Sequence, residues 1–187
     1  MGALETSVSN LMAKAETGKI KFTLAGIAID STSYKAVKDC VDNAKIKVSY
    51  DATLGANAAK YRYTHNTLFL GFQPVTGQDK EALVVHECTH AACDIAKKSL
   101  LVSNSEAAAY VAQSLYFFYM NEKVLADGKV KPTFKSGILQ AAWDVATQAR
   151  ATPSLTNEHI KKLLEEIAKD AAYKDRYTKN DDFDGVE

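Results

Sequence analysis

The stretch Leu83-Val84-Val85-His86-Glu87-Cys88-Thr89-His90-Ala91-Ala92 decides how the rest of the chain is read. On a helix, residues four apart stack on one face, so His86 and His90 present two imidazoles to one metal ion. Glu87, one position on, stands beside that ion, where it can take a proton from water. No other charged residue lies between Ala82 and Ala92. Burying two imidazoles and a carboxylate among apolar neighbours is costly unless they are paired or metal-bound. Cys88 points about 160° away from both histidine positions on a helix of 3.6 residues per turn, which takes it off the metal face.

Two histidines make half a site, because a catalytic zinc usually takes three protein ligands and a water. Downstream, His159 is the remaining histidine, on the polar side of an amphipathic segment. Glu106 is the better candidate. Fifteen residues separate it from His90, enough to finish one helix, turn and return antiparallel. Ala107, Ala108 and Ala109 follow it, and Ala91 and Ala92 follow His90. Small side chains on both helices allow the close approach that a carboxylate needs to reach a metal held by the neighbouring helix. A second reading competes, because Ser103-Asn104-Ser105-Glu106 is also a capping box. One carboxylate cannot serve both roles well. The oxyanion donor is left open among Tyr110, four residues after Glu106, and Tyr61, Tyr63 and His65 upstream; Tyr110 is the catalytic candidate.

Working outward, helical spacing over 3–17 is stopped by Gly18, and Lys19–Ile29 contains a strand. Ser31 or Thr32 caps a helix through Ala44. Ile46–Tyr50 alternates as a strand, and Lys60–Thr64 with Thr67–Phe72 reads as a hairpin. If Thr67–Phe72 is an exposed edge, it can pair with an extended peptide above the metal. Thr76 or Asp79 caps the motif helix, about 80–98. A helix from Ser105 to Ala126 is closed by Asp127-Gly128, another spans 136–150, and Asn157 caps a last one with Ile160, Leu163, Leu164 and Ile167 as its apolar stripe. The end, Asn180-Asp181-Asp182-Phe183-Asp184-Gly185, begins a calcium-loop spacing but lacks the twelfth-position glutamate; it reads as a solvated acidic tail.

The 187 residues suit one domain, 1–187, with a core at about 19–127 and a helical part at about 132–172. Lys plus Arg and Asp plus Glu are 23 each, which argues against a nucleic-acid or membrane partner held by bulk charge. No apolar run reaches transmembrane length. Three cysteines, Cys40, Cys88 and Cys93, do not form a disulfide framework. With no basic-then-apolar N-terminal pattern, a cytoplasmic location is expected.

His86-Glu87-Cys88-Thr89-His90 with Glu106 resembles the gluzincins, zincin metallopeptidases with a downstream glutamate ligand. Asn66–Leu70, Ala82–Glu87 and Ser105–Ala112 together are similar to the minimal ImmA/IrrE-like metallopeptidases, over about residues 45–120. The resemblance implies an α+β zincin-like fold, in which a small, mainly antiparallel sheet packs on an active-site helix and a glutamate helix, with additional C-terminal helices. It also implies a Zn2+ held by His86, His90 and Glu106, with Glu87 as the base, and hydrolysis of a peptide or protein substrate. The spacer to Glu106 is short for that family, no helix-turn-helix accompanies it, and Tyr110 stands where larger gluzincins often carry an acidic residue.

Overall fold

A central helix, buried on most of its circumference, organises a mixed α+β structure. The computed structural model describes residues 1–126 and 131–186; the helix stop expected at Asp127-Gly128 lies outside them. The chain opens with α1 (Ala3–Met12) and a single turn, α2 (Ala15–Gly18). The segment read as one strand is a tight hairpin, β1 (Phe22–Leu24) and β2 (Ile27–Ile29), paired antiparallel. Ala25 and Gly26 between them both take positive φ, 51° and 79°, the pattern of a two-residue turn whose twist matches the strands.

Helix α3 (Ser31–Asp42) is capped one residue earlier than expected, by Asp30. The Asp30 carboxylate accepts from the Thr32 and Ser33 amides at 2.8 and 3.1 Å, and Ser33 Oγ accepts from the Asp30 amide at 3.2 Å. The capping box is therefore reciprocal.

Three strands follow: β3 (Lys47–Tyr50), β4 (Ala59–Arg62) and β5 (Thr67–Leu70). Their order is β3-β5-β4, with β5 parallel to β3 and antiparallel to β4. This sheet is thus mixed, whereas the β1–β2 hairpin is antiparallel. The central place of β5 answers the question the sequence leaves open: it is not an exposed edge, because neighbours use both of its sides. The free edge that reaches the helix carrying His86 and His90 is β4. Buried Leu68 and Leu70 anchor β5 to the core.

The motif helix, α4 (Gln78–Ile95), is preceded by Gly77 at φ 92° and has no side-chain cap, so neither Thr76 nor Asp79 fills that role. Asp79 and Glu81 lie in its first turn, favourable against the helix dipole. It is buried from Val84 through Asp94, with α3, β4 and α5 (Val102–Met120) packed around it. That environment accounts for its lack of a polar face. Two features separate α4 from α5: Lys97 at φ 50° and the short strand β6 (Ser99–Leu101). Ala107, Ala108, Ala109 and Ala91 are all at most 1% exposed, and Ala109 shares the α4-facing side of α5 with Glu106. Beyond α5 come a single turn, α6 (Glu122–Leu125), then α7 (Gly137–Ala151) and α8 (Asn157–Lys169), both packed on α5. The cap of α8 is Thr156 rather than Asn157.

The C-terminal residues correct the reading of a solvated tail. β7 (Asn180–Asp182) pairs antiparallel with β6, and Asp181 and Phe183 are buried. The exposed backbone edge of β6 supplies the pairing, and Arg176 neutralises Asp181 at 3.3 Å. No helix among the described residues is long and apolar enough to cross a membrane.

Candidate metal centre

Successive turns of α4 carry His86 and His90 to the same face, and α5 brings Glu106 opposite them. Glu106 Oε2 lies 3.3 Å from His86 Nε2 and 3.7 Å from His90 Nε2. One ligand atom from each residue falls within 4.8 Å of the others. All three side chains are buried.

The outer nitrogens are also held. His86 Nδ1 pairs with Gln113 Oε1 at 3.1 Å, and His90 Nδ1 with Ser105 Oγ at 2.9 Å. These two contacts set the rings so that both Nε2 atoms face Glu106.

Glu106 Oε2 is buried and has no hydrogen-bond partner, although buried carboxylate oxygens are normally satisfied. Around a tetrahedral ion with bonds of about 2.0–2.1 Å, ligand atoms sit about 3.3–3.5 Å apart. The 3.3 Å separation meets that spacing and the 3.7 Å one lies just outside it. Two imidazole nitrogens and one carboxylate oxygen suit zinc.

The electrostatics of the cluster favour positive charge between its members. Burial by itself disfavours a charged His90, but the Glu106 carboxylate beside it overrides this, with Glu87 and Asp181 adding to the effect, and His90 is raised to about 9. Burial likewise opposes ionising Glu106, yet His90 and His86 hold its carboxyl well below the usual carboxylate range. A metal ion held there would compete with protonation at this cluster.

The capping-box role of Glu106 is not realised. Helix α5 begins at Val102, directly after β6, so Ser103 is already inside the helix and makes no cap bond. His159 is also removed from the site: it is exposed and accepts from the Thr156 amide at 3.2 Å.

A cleft of about 760 Å³ opens over the cluster, lined by β4 and its following turn, by both histidines and both glutamates, and by Tyr173, Arg176 and Phe183 from the C-terminal segment. Glu87 faces this cleft, and its Oε2 accepts the Tyr61 amide at 2.7 Å. Tyr110 packs edge-on against His86, with ring centroids 4.5 Å apart, and its hydroxyl bonds that of Tyr173 at 3.0 Å. Tyr173, not Tyr110, lines the cleft. Burial and the Glu106 carboxylate push the Tyr173 phenol upward, so it stays protonated as a donor. Of the other candidates, Tyr63 meets Phe183 edge-on and His65 sits on the rim.

Four residues at or beside the site escaped sequence reasoning. Gln113 is two turns beyond Glu106 and Ser105 is its neighbour, so helical periodicity could have suggested both. Asp94, four residues past His90, carried the same signal. Tyr173 carried none. Cys40, Cys88 and Cys93 are free thiols. Compared with protein-family models, curated proteins and solved structures, the chain matches none.

Proposed function

We propose that the chain is a zinc-dependent peptidase of the gluzincin type, acting on peptide or protein substrates. The observation that carries the reading is the orphaned Glu106 Oε2 facing two imidazole nitrogens, with Glu87 beside them in an open cleft. His86, His90 and Glu106 would hold the ion. When bound, zinc supplies Lewis acidity, polarising the scissile carbonyl and lowering the pKa of water to about 7.

The chain's own residues do the rest. Glu87 takes the proton from the attacking water and returns it to the leaving amine. The Tyr61 amide holds one oxygen of Glu87, which leaves the other for that exchange. Tyr173 donates a hydrogen bond toward the carbonyl oxygen, and Tyr110 steadies its hydroxyl. Alternation along β4 turns the backbone of Ala59 and Tyr61 away from β5. Because Glu87 already uses the Tyr61 amide, Ala59 is the position open to an extended substrate.

The test joins metal analysis to one substitution. Wild-type protein should carry zinc one-to-one and hydrolyse an unfolded protein such as casein. Glu87→Gln should keep the zinc and lose the activity. A protein that binds no zinc contradicts the reading, and stoichiometric zinc without hydrolysis makes the site a non-catalytic metal-binding one.

A further inference from the structure

Electrostatics disfavours the position of Asp94 twice over. Its side chain is fully buried, 0% exposed. It also lies in the last turn of α4, where the helix dipole is negative. Burial accordingly holds its carboxyl above the usual carboxylate range. An apolar residue would fill this space at less cost.

Donors from three separate segments converge on it. The Tyr61 hydroxyl on β4 donates to Oδ2 at 2.7 Å, and the Gly185 amide in the C-terminal tail donates to Oδ1 at 2.9 Å. The third is the Asn66 amide in the turn after β4. With its nitrogen turned toward the carboxylate, it donates to Oδ2 at 3.2 Å and to the Tyr63 carbonyl at 3.0 Å. The His86–His90–Glu106 group closes without Asp94, so its role is not ligation.

Tyr61 connects this junction to the chemistry. Its hydroxyl is docked on Asp94 while its own backbone amide holds Glu87 Oε2 at 2.7 Å. One residue of the edge strand thus spans two turns of α4. We infer that Asp94 is a positioning residue: acting through Tyr61 it fixes the β4 edge and the Glu87 carboxylate, and it makes that position depend on the docked C-terminal tail. The inference rests on the peptidase reading, in which Glu87 is the base.

The experiment uses the full-length, zinc-loaded protein with Asp94→Asn, Tyr61→Phe and the pair. Zinc content should stay one-to-one in all three. Turnover number should fall about 10–100-fold, the range typical of groups that orient site residues, with KM nearly unchanged. Hydrogen exchange at the residue 61 amide should accelerate while the α5 amides keep their protection. The double variant should fall no further than the weaker single, because the two groups act as one unit. Unchanged turnover in both singles, losses that multiply, or unaltered exchange at amide 61 each overturn the inference. Failure of the peptidase reading looks different: wild type hydrolyses nothing, or Glu87→Gln stays active. In that case amide 61 still reports whether Asp94 holds the strand. If Asp94→Asn does not fold, Tyr61→Phe, which keeps the ring and the backbone, carries both measurements.

Discussion

Replacing Gln113 with leucine separates the metal-orienting network from the ligands themselves. Gln113 Oε1 sits 3.1 Å from His86 Nδ1, and His86 is only 4% exposed. Leucine has similar bulk but makes no hydrogen bond to Nδ1. Two consequences have different sizes and readouts. A buried polar group left without its partner costs about 1–3 kcal/mol, so metal-free Gln113→Leu should unfold in denaturant with its stability lowered by that amount. The penalty persists when metal binds and so cancels from the affinity. What remains is the loss of ring orientation and of imidazole basicity, worth about 10–100-fold in metal affinity, or roughly 1.4–2.7 kcal/mol. Zinc titration against a chromophoric chelator measures it, with Gln113→Glu as the companion that restores an acceptor and recovers affinity. An affinity within twofold of wild type for Gln113→Leu would refute the argument that this hydrogen bond sets the His86 ring for a metal.

Other predictions follow from different parts of the molecule. His90 is raised from 6.5 to about 9, so its charge favours the metal-free fold fully below pH 6.5, and that contribution is lost as pH rises through 9. The difference is roughly 3 kcal/mol; denaturant unfolding of the metal-free protein across this window should show it, and Glu106→Gln should flatten the profile. Ala109→Leu forces extra volume between α4 and α5, because Ala109 is fully buried on the same face of α5 as Glu106. It should cost about 1–3 kcal/mol and weaken zinc binding; a variant as stable and as tight as wild type means the helices do not need that closeness. Phe183→Ala removes a buried ring packed on Tyr63. It should cost about 3 kcal/mol and leave the C-terminal residues open to limited proteolysis, whereas a freely solvated tail would show neither effect.

How far the sequence carried this description depends on range. The motif helix was legible because its signals are local: a four-residue histidine spacing, and an uncharged run that matches burial on most of α4. Glu106 was legible by chain length and by the alanines beside it, which the structure buries. The start of α5 was not, since β6 hands the chain directly into the helix at Val102 and turns an apparent capping box into interior residues. The place of β5 in its sheet stayed open for a different reason. Its alternation fits an edge or a centre equally well, and only the distant β3 decides between them. Asp181 and Asp182 look solvated by charge, yet pairing with β6 and the Arg176 partner bury Asp181. Tyr173 reaches the cleft from 63 residues beyond Tyr110, and no local pattern reports that contact. The mixed α+β class, the site's three candidate ligands and the position of Glu87 in the cleft follow from short-range pattern, while the cleft's walls are a product of tertiary folding.

X-ray absorption at the zinc edge, on protein loaded with one equivalent of zinc, tests the central claim most directly. The expected spectrum is that of a four-coordinate ion with nitrogen and oxygen scatterers at about 2.0–2.2 Å, a signal from two imidazoles, and loss of one light scatterer with weakened binding in Glu106→Ala. Failure to take up zinc, or a sulfur scatterer at about 2.3 Å, would contradict it.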